Sequence, residues 1–165
     1  MRRTAGIGPF IVIAAAPILL GGCSAVVYDF SDGHGWSDDF EQSRLTWEAQ
    51  GIKSYRYTVS ATAGLCGSPP MRVTVKNGIV KKAVYDADNL TCAGSPVRKG
   101  ESVPKKRLAH VDTIAELFER ITACRHTCRA SAGFDLQTGI PVRISLINGD
   151  VVDDDVFIRI TEFRH

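Results

Sequence analysis

Two β-branched runs, in Met71–Lys76 and Ile79–Tyr85, meet at Asn77-Gly78. No other feature constrains the chain as tightly. Asn and Gly tolerate the positive φ angles of a type I′ turn, whose twist matches that of two antiparallel strands. With this turn Val75 faces Val80 and Met71 faces Val84, but Val73 faces Lys82. A charge on the apolar side implies an edge position, a bulge or a snorkelling lysine.

The period of two recurs on both sides of the hairpin. Tyr55, Tyr57, Val59 and Ala61 alternate with Arg56, Thr58 and Ser60, which reads as a half-buried strand. Val142, Ile144 and Leu146 alternate with Arg143 and Ser145 after a hairpin turn at Gln137–Gly139. Val156, Ile158 and Ile160 alternate with Phe157, Arg159 and Thr161. Two stretches follow a helical period instead. Residues 38–50 put Phe40 and Trp47 seven apart, with Asp38 as cap, Glu41 at the capping-box position and Gly51 as the stop. Thr113 and Glu116 form a second capping box, and Ile114, Leu117, Phe118 and Ile121 make one apolar stripe. Residues 88–111 read as a long irregular, solvated connection. It carries Arg98, Lys99, Lys105, Lys106 and Arg107, for which a surface that binds anionic lipid or wall polymer is the functional alternative. The expected order is helix, three strands, helix, three strands. Short links imply antiparallel pairing, so the expected class is α+β with helices on one face of the sheet.

The chain opens "MRRTAGIGPFIVIAAAPILLGGCSA". Arg2 and Arg3 precede an apolar run that is short and broken by Pro9 and Pro17, the layout of a secretory signal rather than a membrane span. Its ending, "LLGGC", resembles the lipobox of bacterial lipoproteins. The resemblance implies cleavage after Gly22 and diacylation of Cys23. Residues 1–22 are then a signal peptide, residues 23–37 a lipid anchor and a flexible tether rich in Gly, Ser and Asp, and residues 38–165 a single globular domain. The expected location is the extracytoplasmic side of a membrane. Of the 20 basic residues, Arg2 and Arg3 fall in the signal, which holds none of the 18 acidic ones, so the remainder is formally neutral. That balance argues against a nucleic-acid partner, which requires a basic footprint.

Besides Cys23 the chain has Cys66, Cys92, Cys124 and Cys128, an even number in a compartment that permits disulfides. Three pairings are possible. If the first three strands form a meander, Cys66 and Cys92 lie at one end of the sheet, which favours Cys66–Cys92 and Cys124–Cys128. In "CRHTC" the thiols flank His126, so a metal or redox site is the alternative to a stapled turn. The spacing matches neither a zinc knuckle nor a haem attachment site. Asp150, Asp153, Asp154 and Asp155 crowd one loop without EF-hand spacing, and "DADNLT" at 86–91 has Leu90 where an oxygen ligand is needed. His34, His110 and His165 have no evident partner. There is no Gly-x-Ser-x-Gly, HExxH or glycine-rich phosphate loop, and no cofactor is implied.

"SYRYTV", Cys66, "VTVKNGIV", "TIAELFERI", "FDLQTGIPVRI" and "DDDVFIRITEF", following Trp47, resemble the bacterial lipoproteins and secreted domains grouped as domain of unknown function 6174. The most specific part is the helix start "TIAELF" followed by Asp135-x-x-x-Gly139-x-Pro141. The resemblance implies an exported domain and carries no catalytic residue. Two functions fit these residues. One is a binding or interaction module at the cell envelope, recognising a protein, a wall polymer or a small ligand. The other is an extracytoplasmic thiol-redox or metal-binding protein using Cys124, His126 and Cys128. An enzymatic activity is the less expected outcome.

Overall fold

The computed structural model describes residues 25–29, 38–64, 66–124, 127–149 and 155–165. In order they form β1 (Ala25–Asp29), α1 (Asp38–Ala49), β2 (Tyr55–Ala63), β3 (Cys66–Lys76), β4 (Ile79–Tyr85), β5 (Asn89–Leu90), β6 (Pro96–Val97), α2 (Lys105–Leu108), α3 (Ile114–Cys124), β7 (Arg129–Asp135), β8 (Pro141–Ile147) and β9 (Val156–Arg164). One antiparallel sheet runs β1-β7-β8-β9-β2-β3-β4, and β5 pairs with β6 in a separate ribbon. The chain is therefore mostly β with a few short helices. This corrects the expected α+β class led by a helix. A strand precedes α1, and the six strands of the domain join with β1 in one sheet instead of standing as two helix-led triplets. Within the stretch expected to be a tether, Ala25–Asp29 pairs along β7. Cys23, His34 and His126 lie outside the described residues, as do Asp150, Asp153 and Asp154.

The hairpin turn forms with Asn77 at φ 53° and Gly78 at φ 73°. A register shift between Thr74 and Val75 settles the misplaced lysine: Val75 faces Val80, but Val73 faces Ala83 and Met71 faces Tyr85. One extra residue in the ladder reverses which side chains share a face. Lys82 thereby stands opposite Thr74 on the outer side.

Alternate residues of every long strand point to the helical side. Tyr57, Val73, Val75, Ala132, Phe134, Ile144 and Ile160 are all buried there. Phe40 of α1, Phe118 of α3 and Phe134 of β7 meet with ring centroids 5.8–6.0 Å apart. Trp47, two turns along α1, packs on Tyr55 and Phe163 at 5.4 and 5.8 Å. The spacing of seven thus sends one aromatic of α1 into each of two clusters.

The turn from β7 to β8 holds α1 in place. Asp135 Oδ1 accepts hydrogen bonds from the Gln137 and Thr138 amides at 3.1 and 2.8 Å and from Thr138 Oγ1 at 2.8 Å. Gln50 Nε2 donates to the Thr138 carbonyl at 2.6 Å. Gly139, at φ 72°, lies so close to α1 that a Cβ there would stand 2.2 Å from the Ser43 carbonyl oxygen. The Asp-x-x-x-Gly-x-Pro signature is a helix-docking turn.

Residues 88–111, expected to be irregular and solvated, hold the β5–β6 ribbon and α2 and bury Thr91, Val97 and Val103. Val103 N–H donates to the Ala83 carbonyl at 3.0 Å and Tyr85 N–H to the Glu101 carbonyl at 3.0 Å, so this segment covers the edge of β4.

Candidate functional site

β2 and β3 separate at their far end because of two prolines. Val59 faces Met71, yet Ala61 faces Ser68, so β3 advances three residues while β2 advances two. The surplus falls at Pro69-Pro70, where missing amide donors make a regular ladder impossible. A bulge bends the strand pair. The connection from α2 to α3 crosses above this bend, and between them lies a groove with two adjoining lobes of about 190 and 240 Å³. Ala61, Ser68, Met71, His110 and Val111 line both lobes. Tyr57, Val59, Leu117 and Ile158 extend the first, and Pro69, Tyr85 and Arg107 the second. Together the lobes reach the lower part of the size range of small-ligand sites.

The roof is pinned by two tyrosines that sequence periodicity marks only as core residues. Tyr57 hydroxyl donates to the Asp112 carbonyl, and Tyr55 Oη accepts the Ile114 amide at 2.9 Å. The predicted capping box is present: Thr113 N–H donates to Glu116 Oε2 at 2.7 Å, and Glu116 N–H donates to Thr113 Oγ1 at 3.2 Å. Arg120 pairs with Asp112 at 2.8 Å. Burial pushes the Tyr55 hydroxyl up to about 12 and the Tyr57 hydroxyl higher still. Both stay neutral in ordinary conditions and act as fixed struts rather than acids.

The groove has apolar walls and a polar rim of Arg107, His110 and the Asp112–Arg120 pair. Ser68 and His110 both line it, but among the described residues no hydrogen bond joins them and no carboxylate orients His110. The base–nucleophile–orienter relay of covalent catalysis is missing there. What the arrangement can do is enclose an apolar group. His110, for which the sequence offers no evident partner, stands exposed at the mouth of this groove. Met71 and Val111 could be found in the sequence only as apolar residues. The bend that sets them opposite each other belongs to the tertiary structure.

The other candidate residues fall elsewhere. Cys66 and Cys92 stand at disulfide distance with Cα atoms 5.6 Å apart, tying the start of β3 to the β5–β6 ribbon. Cys124 and Cys128, 5.0 Å apart, bracket the exit from α3. Of the acidic run only Asp155 is described, and its carbonyl accepts the Gly64 amide at 2.8 Å. His165 lies against the Phe163 ring at 6.0 Å. Among the described residues no group of three or more His, Cys, Asp or Glu side chains is placed to hold a metal. No described helix is long and apolar enough to cross a membrane.

Residues 39–165 match a family of unknown function (DUF6174). No curated protein matches the chain.

Proposed function

Because the chain belongs to a family of unknown function (DUF6174), its role has to be argued from its own residues, and we propose that it is a lipid-anchored extracytoplasmic binding module. The observation that carries the binding role is the apolar groove between the Pro69-Pro70 bend and His110–Asp112. Concave apolar surface with a few polar groups at its mouth is the usual form of a small-ligand site. The occupant that suits it is a slim apolar group, either a small ligand or a side chain of an envelope protein.

The export reading is supported by "LLGGC" and by two cysteine pairs at disulfide distance, which persist in oxidising compartments. One residue, Ser24, separates Cys23 from Ala25, the first residue of β1. An acylated Cys23 would therefore hold this edge of the sheet within about 7 Å of chain from the bilayer. Two acyl chains on one cysteine suffice for stable anchoring. The thiol-redox alternative is weaker. Cys124 is buried in the last turn of α3, where the helix dipole disfavours a thiolate, whereas reactive cysteines favour helix N-termini.

Methyl NMR of the full chain titrated with a short alkanol tests the groove. Shifts should concentrate at Met71, Val111, Leu117 and Ile158, and Val111→Trp should abolish them by filling the space. Shifts scattered over the surface, or unchanged by Val111→Trp, would refute the binding site. Anchoring is tested separately by labelled palmitate: Cys23→Ala should lose both the label and the membrane fraction, and retained label would refute it.

A further inference from the structure

The face of the sheet that carries no helix holds a second groove, of about 470 Å³, over β2, β8 and β9. Arg143 and Arg159 are direct cross-strand partners there, and Ser60 stands opposite Arg159 on the other side. The next row is Ser145, Phe157 and Thr62. Two like charges at directly opposed positions repel each other, since their Cβ atoms are only about 5 Å apart. Among the described residues neither arginine has an acidic partner, and the same holds for the other directly opposed arginines, Arg56 and Arg164; what sets Arg143 and Arg159 apart is the groove beside them. Phe157 adds a large aromatic surface, 45% exposed, beside this pair.

We propose that this groove binds a phosphate ester, with Arg143 and Arg159 holding the phosphate and Phe157 contacting the group it esterifies. Each guanidinium presents a fork of donors suited to two oxygens. Two forks and the Ser60 hydroxyl offer more donors than the two oxygens of a carboxylate can use. The three terminal oxygens of a phosphate monoester can bridge both. A bound anion also removes the repulsion that the empty pair suffers. The site stands on residues outside the apolar groove's walls apart from the shared margin at Ala61, Thr62, Ser68 and Ile158, so it holds whether or not that groove has a ligand.

Calorimetric titration of the full chain with glycerol 1-phosphate, in low-salt buffer free of phosphate, tests the inference. A parallel co-sedimentation compares phosphatidylcholine vesicles with vesicles that also contain phosphatidic acid, whose headgroup is a phosphate monoester. Binding of glycerol 1-phosphate identifies a soluble phosphate monoester as sufficient, and preference for the phosphatidic acid vesicles alone identifies a lipid headgroup. In either case Arg143→Gln and Arg159→Gln should each weaken binding by about tenfold or more, the cost of a lost charge-assisted bond. Arg159→Lys, which keeps the charge but not the fork, should weaken it less. Both side chains are exposed, so the variants should melt at or above the parent's midpoint. Binding that survives the Arg143→Gln, Arg159→Gln double variant, or no response to either probe, overturns the proposal.

Discussion

Gly139→Ala tests the contact that attaches α1 to the rest of the fold. Two costs combine at this position. The backbone is at φ 72°, a left-handed conformation that costs a residue with a Cβ about 1–2 kcal/mol. The new Cβ would also lie 2.2 Å from the Ser43 carbonyl oxygen and 2.9 Å from the Trp47 amide nitrogen. Both obstacles are main chain, so no rotamer change relieves them and α1 must move away. Overpacking of this kind costs about 1–3 kcal/mol more. Displacing α1 also loosens Phe40 and Trp47, each buried in an aromatic cluster. The expected total is about 3–5 kcal/mol, a large share of the roughly 5–15 kcal/mol that holds a domain together. Gly78→Ala is the matched control. Its φ is 73°, but nothing lies within 4 Å of the added Cβ, so only the backbone cost of about 1–2 kcal/mol applies. Urea denaturation followed by tryptophan fluorescence measures both, with midpoint shifts converted through an unchanged slope. Equal losses for the two variants would show that Gly139 does not touch α1, and the docking-turn argument would fail.

Thr113→Ala should cost about 1 kcal/mol through the lost helix cap, and Leu117→Ala about 2–5 kcal/mol through the cavity it leaves, both read by chemical denaturation. Tyr55 has its hydroxyl raised from 10.0 to about 12 by burial, so the fold binds this proton more tightly than the unfolded chain does. Its stabilising contribution is intact below pH about 10 and should be lost as pH rises from there through about 12. An ultraviolet titration showing free phenolate formation at Tyr55 near pH 10, before unfolding, would contradict that. Opening the Cys66–Cys92 link, 26 residues apart, should cost about 3–4 kcal/mol on the chain-entropy account, against about 2 for Cys124–Cys128, four apart. Non-reducing peptide mapping checks the pairing, and thermal melts of Cys66→Ser and Cys124→Ser check the order of the two effects.

Local chemistry was legible wherever neighbours in the chain decide the outcome. Asn77-Gly78 determined its turn, Thr113 and Glu116 their capping box, and the alternation in β2, β8 and β9 the buried face of each strand. Those effects act over two to four residues, and the sequence displays them directly. Register and strand order act across the whole chain. Lys82 faces outward because of one bulge beyond Thr74, and β2 meets β9 across most of the domain, which no local period encodes. In the sequence Ala25–Asp29 reads as tether because its Gly- and Asp-rich flank resembles one, yet the open edge of β7 supplies the partner that makes it a strand. The candidate sites depend on the same long-range terms. Met71 and Val111 become two walls of one groove only through the bend at Pro69-Pro70 and the tyrosine hydrogen bonds that hold the roof. Arg143 and Arg159 each read as an ordinary outward residue of a strand. Only the pairing of β8 with β9 sets the two charges side by side, because sequence specifies which face a side chain takes while tertiary pairing specifies what stands next to it.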